Sequence, residues 1–194
     1  MINEDFPECA KKLFYEIYQR LSYTYGCVYF SYYVEIYEYQ RRLSFTTSPQ
    51  WTQLFIQNGL NKSCPLMQVG WNFKKVILDW DTAPIQTSAQ SNVMGMRTEF
   101  GHAHGVSFSN KAFGTMESLG MAADKTNKSF KTLILENRAE ISETLMKFSC
   151  ISHKALQLKK LNNQYQSSFH AMPLALLSNE IKQKPAREKI QVFF

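Results

Sequence analysis

The sequence predicts an α+β fold, an α-β-α sandwich with a central antiparallel sheet of about five strands covered by helices on both faces. Three observations carry this. Residues 26–39, GCVYFSYYVEIYEY, concentrate aromatic and β-branched side chains, the composition of a strand. Several other segments repeat apolar residues every three or four positions, the spacing of amphipathic helices. The resulting order (helix, hairpin, helices, strand, helix, hairpin) suits an antiparallel sheet with helices layered on it.

Over about residues 5–23, Cys9, Leu13, Phe14, Ile17 and Leu21 fall at helical spacing. Asp5 is the cap candidate, Pro7 fits the first turn, and Gly26 stops the helix. The aromatic strand follows, then a turn at 38–40 and a second strand, RRLSFTT. Residues 47–59, TSPQWTQLFIQNG, open with Thr47, Ser48 and Pro49 and place Trp51, Leu54 and Phe55 on one face of a short helix that ends at Asn58-Gly59. Cys64-Pro65 marks a new start, with MQVGWNF as a short helix or irregular cover. KKVILDW is an apolar run leading to a surface connection, DTAPIQTSAQ.

Over about 89–104, Val93, Met96, Phe100 and Ala103 form the inner stripe of an amphipathic helix that Gly105 ends. GVSFS is the next strand, with Val106 and Phe108 on one face; NKAF turns into a fifth strand, FGTMESLGM. Residues 127–161 read as one long helix or a bent pair with Phe130, Leu133, Ile134, Ile141, Leu145, Phe148, Ile151, Ala155 and Leu158 on its stripe. NNQYQSSFHAMP is loop-like, and the last segment has no core pattern.

The 194 residues suffice for one domain with a sizeable core plus a tail. Hydrophobic residues make up 44% and charged ones 20%, the balance of a globular chain. The ten tyrosines gather mostly before Arg41, which suggests a large, aromatic interior. The net charge of +6 permits weak attraction to anionic surfaces, but the excess collects in the tail at residues such as Lys159, Lys160, Lys182 and Arg187, as on a solvated helix or linker. Cys9, Cys27, Cys64 and Cys150 form no CxxC pair and read as free thiols of a reducing compartment, chiefly buried. No signal peptide and no run near the ~20 apolar residues of a membrane span is present, so a cytoplasmic location without membrane contact is expected.

Catalytic patterns are scarce. His102 and His104 lie two apart where a helix ends, a spacing for neither a zinc motif nor a relay, and surface or helix-end hydrogen bonding is expected of them. There is no GxSxG, P-loop or GxGxxG, and no cofactor is implied. A Cys–His dyad using Cys64 is the enzymatic alternative. A pocket needs an apolar wall and a few fixed polar groups. Trp51 and Phe55 from one helix and Trp80 from the opposite side supply a wall; Ser118, Thr47 and the first-strand tyrosines supply hydroxyls. The same spacing also fits a packed core.

Trp51, Phe55 four residues on, Cys64-Pro65 and Trp80 closing an apolar run resemble the signature of LuxR-type autoinducer-binding domains. FGHAHGVSFS and AFGTMESLG resemble that family's glycine-marked strand and the strand after it, so the resemblance runs from about Phe14 to Leu158. It implies an acyl-homoserine lactone or related acylated signal as ligand and no enzymatic activity. Trp51 would donate its indole N–H to the lactone carbonyl, and Trp80 would flank the lactone ring. Phe55 stands for a tyrosine near the acyl carbonyl, Ser118 for a residue facing the amide, and Gly105 for a glycine that allows close packing.

Cys64 replaces the family's acid, which accepts a hydrogen bond from the ligand amide. A thiol is a weak acceptor, so most of a charge-assisted bond of ~1.5–3 kcal/mol is lost there. On the resemblance, residues 1–165 are the autoinducer-binding-like domain and 166–194 a linker and the start of a truncated helix-turn-helix domain, with KPAREKIQVFF resembling its opening. The implied partners are a second copy, as a homodimer, or a full-length regulator, as a heterodimer; DNA is implied only with a helix-turn-helix domain beyond this chain. The alternative reading is a ligand-independent dimerisation module acting as a truncated antagonist of a full-length regulator.

Overall fold

A computed structural model of the chain describes residues 2–38, 40–72, 74–112 and 114–171. In order these form β1 (Ile2–Asp5), α1 (Glu8–Tyr25), β2 (Cys27–Ile36), β3 (Arg41–Thr46), α2 (Pro49–Gln57), α3 (Pro65–Asn72), β4 (Lys75–Asp79), α4 (Ser88–Glu99), β5 (Ala103–Ala112), β6 (Thr115–Ala123), α5 (Phe130–Glu136) and α6 (Arg138–Ala171). Short 3-10 turns occupy Leu60–Ser63 and Trp80–Thr82. The chain divides into two compact units, Met1–Ala155 and Leu156–Phe194. The first unit contains the whole sheet.

The sheet order is β1-β3-β2-β6-β5-β4. The five predicted strands are antiparallel to their neighbours, and β1 adds a sixth at the edge, parallel to β3. The sequence INED has no apolar alternation, and β1 is a strand by its backbone pairing with β3.

Side-chain alternation assigns the two faces. Phe30, Tyr32 and Val34 of β2 are buried. Phe30 and Tyr32 turn toward α1 and α6: Phe148 of α6 stands 5.2 Å from Phe30 and 4.5 Å from Phe14 of α1, and Phe14 stands 5.7 Å from Tyr32. Phe14, Phe30, Phe130 and Phe148 are fully inaccessible. Each such side chain contributes about 1.5–3 kcal/mol of burial free energy, so this layer is the dense half of the sandwich. Tyr29, Ser31 and Tyr33 turn the other way, toward α2, α3 and α4.

Several boundaries differ from the sequence expectation. Asp5 ends β1 and pairs with Lys11 at 3.0 Å; Pro7 occupies the cap position of α1, and no side chain caps it. Gly26 ends α1 in the left-handed region, as expected. Helix α4 starts on a capping box between Thr87 and Gln90 and ends at Glu99. Its stop is Gly101, at φ +85°, whereas Gly105 lies inside β5, which already begins at Ala103. The long C-terminal helical segment is a bent pair, α5 and α6, and α6 continues to Ala171 through most of the stretch read as loop. KPAREKIQVFF lies outside the described residues.

Two of the four free thiols, Cys27 and Cys64, are buried, while Cys9 and Cys150 are exposed, because α1 and α6 turn those faces away from the core. Among the described residues no helix is long and apolar enough to cross a membrane.

Candidate functional site

Between the sheet and α2, α3 and α4 lies a cavity of about 200 Å³. Its floor is built from small residues in register. Ser31, Gly120 and Ser107 are neighbours across β2, β6 and β5, and Tyr33 and Ser118 line the next row, with Ser109 paired to Ser118 outside the lining. Short side chains leave room there, and hydroxyls make the floor polar. The Oγ atoms of Ser109 and Ser118 lie 2.9 Å apart.

The walls are aromatic. Pro49 starts α2 and aims Trp51 inward, where it is 1% exposed; Phe55, one turn on, is half-buried with its ring 5.5 Å away. Trp80 arrives from the 3-10 turn after β4, and its indole Nε1 donates to Ser107 Oγ at 2.7 Å. Its ring lies on Gly105: a Cβ there would stand 2.2 Å from Trp80 Cε3. Cys64, fully buried, precedes Pro65 at the start of α3 and contributes a thiol to the lining.

Of the residues singled out in the sequence, Trp51, Phe55, Cys64, Trp80 and Ser118 line one cavity. Gly105 stands behind Trp80 and sets where that ring sits. Thr47 lies outside the lining. Its hydroxyl accepts from the Phe30 backbone N–H at 2.9 Å and lies 3.3 Å from the Phe30 carbonyl, so it fastens the end of β3 to β2.

The residue that sequence reading missed is Arg97. The stripe expected on this helix was Val93, Met96, Phe100 and Ala103; the side chains buried from α4 are Gln90, Val93 and Arg97, with Phe100 40% exposed and Ala103 already in β5. Arg97 is 5% exposed, and its guanidinium carbon lies 4.6 Å from the Trp80 ring centroid, 5.1 Å from that of Trp51 and 5.6 Å from that of Phe55. Its Nη2 is 3.8 Å from Cys64 Sγ. Its spacing of four from Val93 was a signal, outweighed by the usual exposure of arginine.

His102 also departs from expectation. Burial, helped by the nearby Arg97 charge, lowers its pKa from 6.5 to about 4, so the ring is neutral at physiological pH. It is 6% exposed and stacks on Tyr29 at 4.2 Å. His104 is partly exposed, with Nδ1 3.0 Å from Asp81 and Nε2 3.2 Å from the Lys125 carbonyl. Among the described residues no group of three or more His, Cys, Asp or Glu side chains converges as a metal site.

The sequence matches no protein-family model and no curated protein. Its structure is similar to that of the N-acylhomoserine lactone dependent LuxR family transcriptional factor CepR2 from Burkholderia cenocepacia, with a TM-score of 0.54 over 76% of this chain and 84% of that one, at 16% identity. At that identity the similarity establishes a shared fold.

Proposed function

We propose that this chain is the ligand-sensing domain of a LuxR-type quorum-sensing transcription regulator, taking an acyl-homoserine lactone or a related acylated signal in the cavity between the sheet and α2–α4. The observation that carries this reading is the meeting of Trp51, Phe55 and Trp80 over a floor of serine hydroxyls, in a fold shared with an acyl-homoserine lactone dependent regulator. An apolar wall with few fixed polar groups is what an acyl chain with a polar head requires. At about 200 Å³ the cavity is smaller than the ~300–1,000 Å³ usual for drug-sized ligands, which favours a short chain. In this reading ligand occupancy stabilises the domain, and the regulator acts as a dimer on DNA through a helix-turn-helix domain.

Thermal unfolding of the purified chain with lactones from butanoyl to dodecanoyl tests this. A ligand at a hundred times its Kd stabilises by about 2.7 kcal/mol, which for a domain of this size is a rise of roughly 5–10 °C. A saturable rise for the short-chain members is expected. No shift with any acylated homoserine, lactone or free acid, would refute the reading and leave dimerisation without a ligand.

A further inference from the structure

Arg97 is a permanent cation buried in the cavity lining without a carboxylate partner among the described residues. A guanidinium keeps its charge at any ordinary pH, and burying a charge is costly unless it is paired. The three rings around Arg97 supply part of the compensation, as cation–π contacts of about 0.5–2 kcal/mol each. The remaining contact is a thiol, a weak acceptor, and Nε is buried with no hydrogen-bond partner.

Among the described residues no Asp or Glu lines the cavity. The other cation of the lining, Arg42, is paired with Glu35, which leaves Arg97 as the uncompensated charge. The surrounding polar groups can also donate. Trp51 carries an indole N–H, and Ser107, whose oxygen already accepts from Trp80, has its O–H proton free to give. A site with a fixed cation, several donors and aromatic walls is complementary to an anion carried on an apolar body.

We infer that Arg97 recognises a carboxylate, and that the preferred ligand is an amphipathic monocarboxylic acid: a short apolar chain whose head is an anion rather than a neutral lactone. The free-acid form of an acyl-homoserine is the member of this class nearest to the lactones. This inference rests on the cavity being a signal-binding site. The planar guanidinium meets a carboxylate with two parallel N–H···O bonds, a geometry that a lactone carbonyl does not match.

Titration calorimetry with N-hexanoyl-homoserine and N-hexanoyl-homoserine lactone, each on wild type, Arg97→Lys and Arg97→Met, tests it. The acid is expected to bind wild type at least tenfold more tightly than the lactone. Arg97→Lys keeps the charge but loses the fork and should weaken the acid severalfold; Arg97→Met should abolish the preference between the two. Circular dichroism on each variant separates loss of binding from loss of fold. Equal or tighter binding of the lactone to wild type overturns the inference and leaves the sensor reading standing. Retention of the acid preference in folded Arg97→Met also overturns it. Binding of neither ligand to wild type overturns the inference, while the sensor reading is decided separately by the thermal-shift panel of chain lengths.

Discussion

Trp80 lies face to face with the backbone of Gly105, so close that a methyl group on Gly105 would stand 2.2 Å from the indole. The indole N–H, donating to Ser107 two residues further along the same strand, fixes the ring in that position. One wall of the cavity is therefore set by the absence of a side chain.

Gly105→Ala should destabilise the domain by about 1–3 kcal/mol through overpacking, read as a lower urea midpoint. The steric origin is checked with Trp80→Leu, which removes the obstructing ring. In that background Gly105→Ala should cost much less, and equal costs in both backgrounds would show that the contact with Trp80 is not the cause.

Trp51 combines wall and donor. Trp51→Phe keeps an aromatic surface against Phe55 and Arg97 but deletes the indole N–H. One neutral hydrogen bond contributes about 0.5–1.5 kcal/mol, so affinity for the ligand should fall roughly two- to tenfold, by calorimetry. Unchanged affinity would mean that the indole N–H does not reach the ligand.

The fold was legible where a pattern repeats. The aromatic run of β2 and the Pro49 and Asn58-Gly59 boundaries of α2 read correctly, because burial imposes periodicity, as did Phe130, Ile134, Ile141, Phe148 and Ala155 of the last stripe, whereas Leu133 is 37% exposed. Strand β1 escaped because its sequence, INED, has no apolar alternation to read; it is defined by pairing with the backbone of β3. Apolar residues at helical spacing ran on past α4, and that continuity hid the stop at Gly101. At the cavity the aromatic members were visible, while the serine floor needs strand register, which brings residues 31, 107 and 118 together. Arg97 was hidden for an energetic reason: arginine is normally solvated, and its burial here is offset only in part by the three surrounding rings.

His102 predicts a pH dependence. Its folded pKa is about 4, lowered by burial and by the Arg97 charge, against 6.5 when unfolded. Between these values the unfolded chain binds the additional proton, so stability is fully present above about pH 6.5 and falls as pH drops toward 4. The loss attributable to this group is at most roughly 3.5 kcal/mol, since each tenfold change in proton affinity corresponds to ~1.4 kcal/mol. Urea midpoints measured at about pH 7, 6 and 5 should decline in wild type, and His102→Phe should decline less. Parallel declines would place the sensitive group elsewhere.

Cys64→Asp places a carboxylate where the thiol now lies 3.8 Å from Arg97 Nη2. The cation then has an internal partner, and the site gains an acceptor for an amide N–H. The change acts in opposite directions on the two kinds of ligand. Affinity for a neutral acyl-homoserine lactone should rise about tenfold or more, since a hydrogen bond to a charged group contributes ~1.5–3 kcal/mol. Affinity for a carboxylate ligand should fall by a similar factor, because the new acid both occupies Arg97 and repels a second anion. Measured on the same preparation, the ratio of the two affinities reverses without any change in cavity wall. If both ligands respond in the same direction, the Arg97 and Cys64 side chains do not face the ligand head, and the head group must then be sought toward Ser118 and Tyr33.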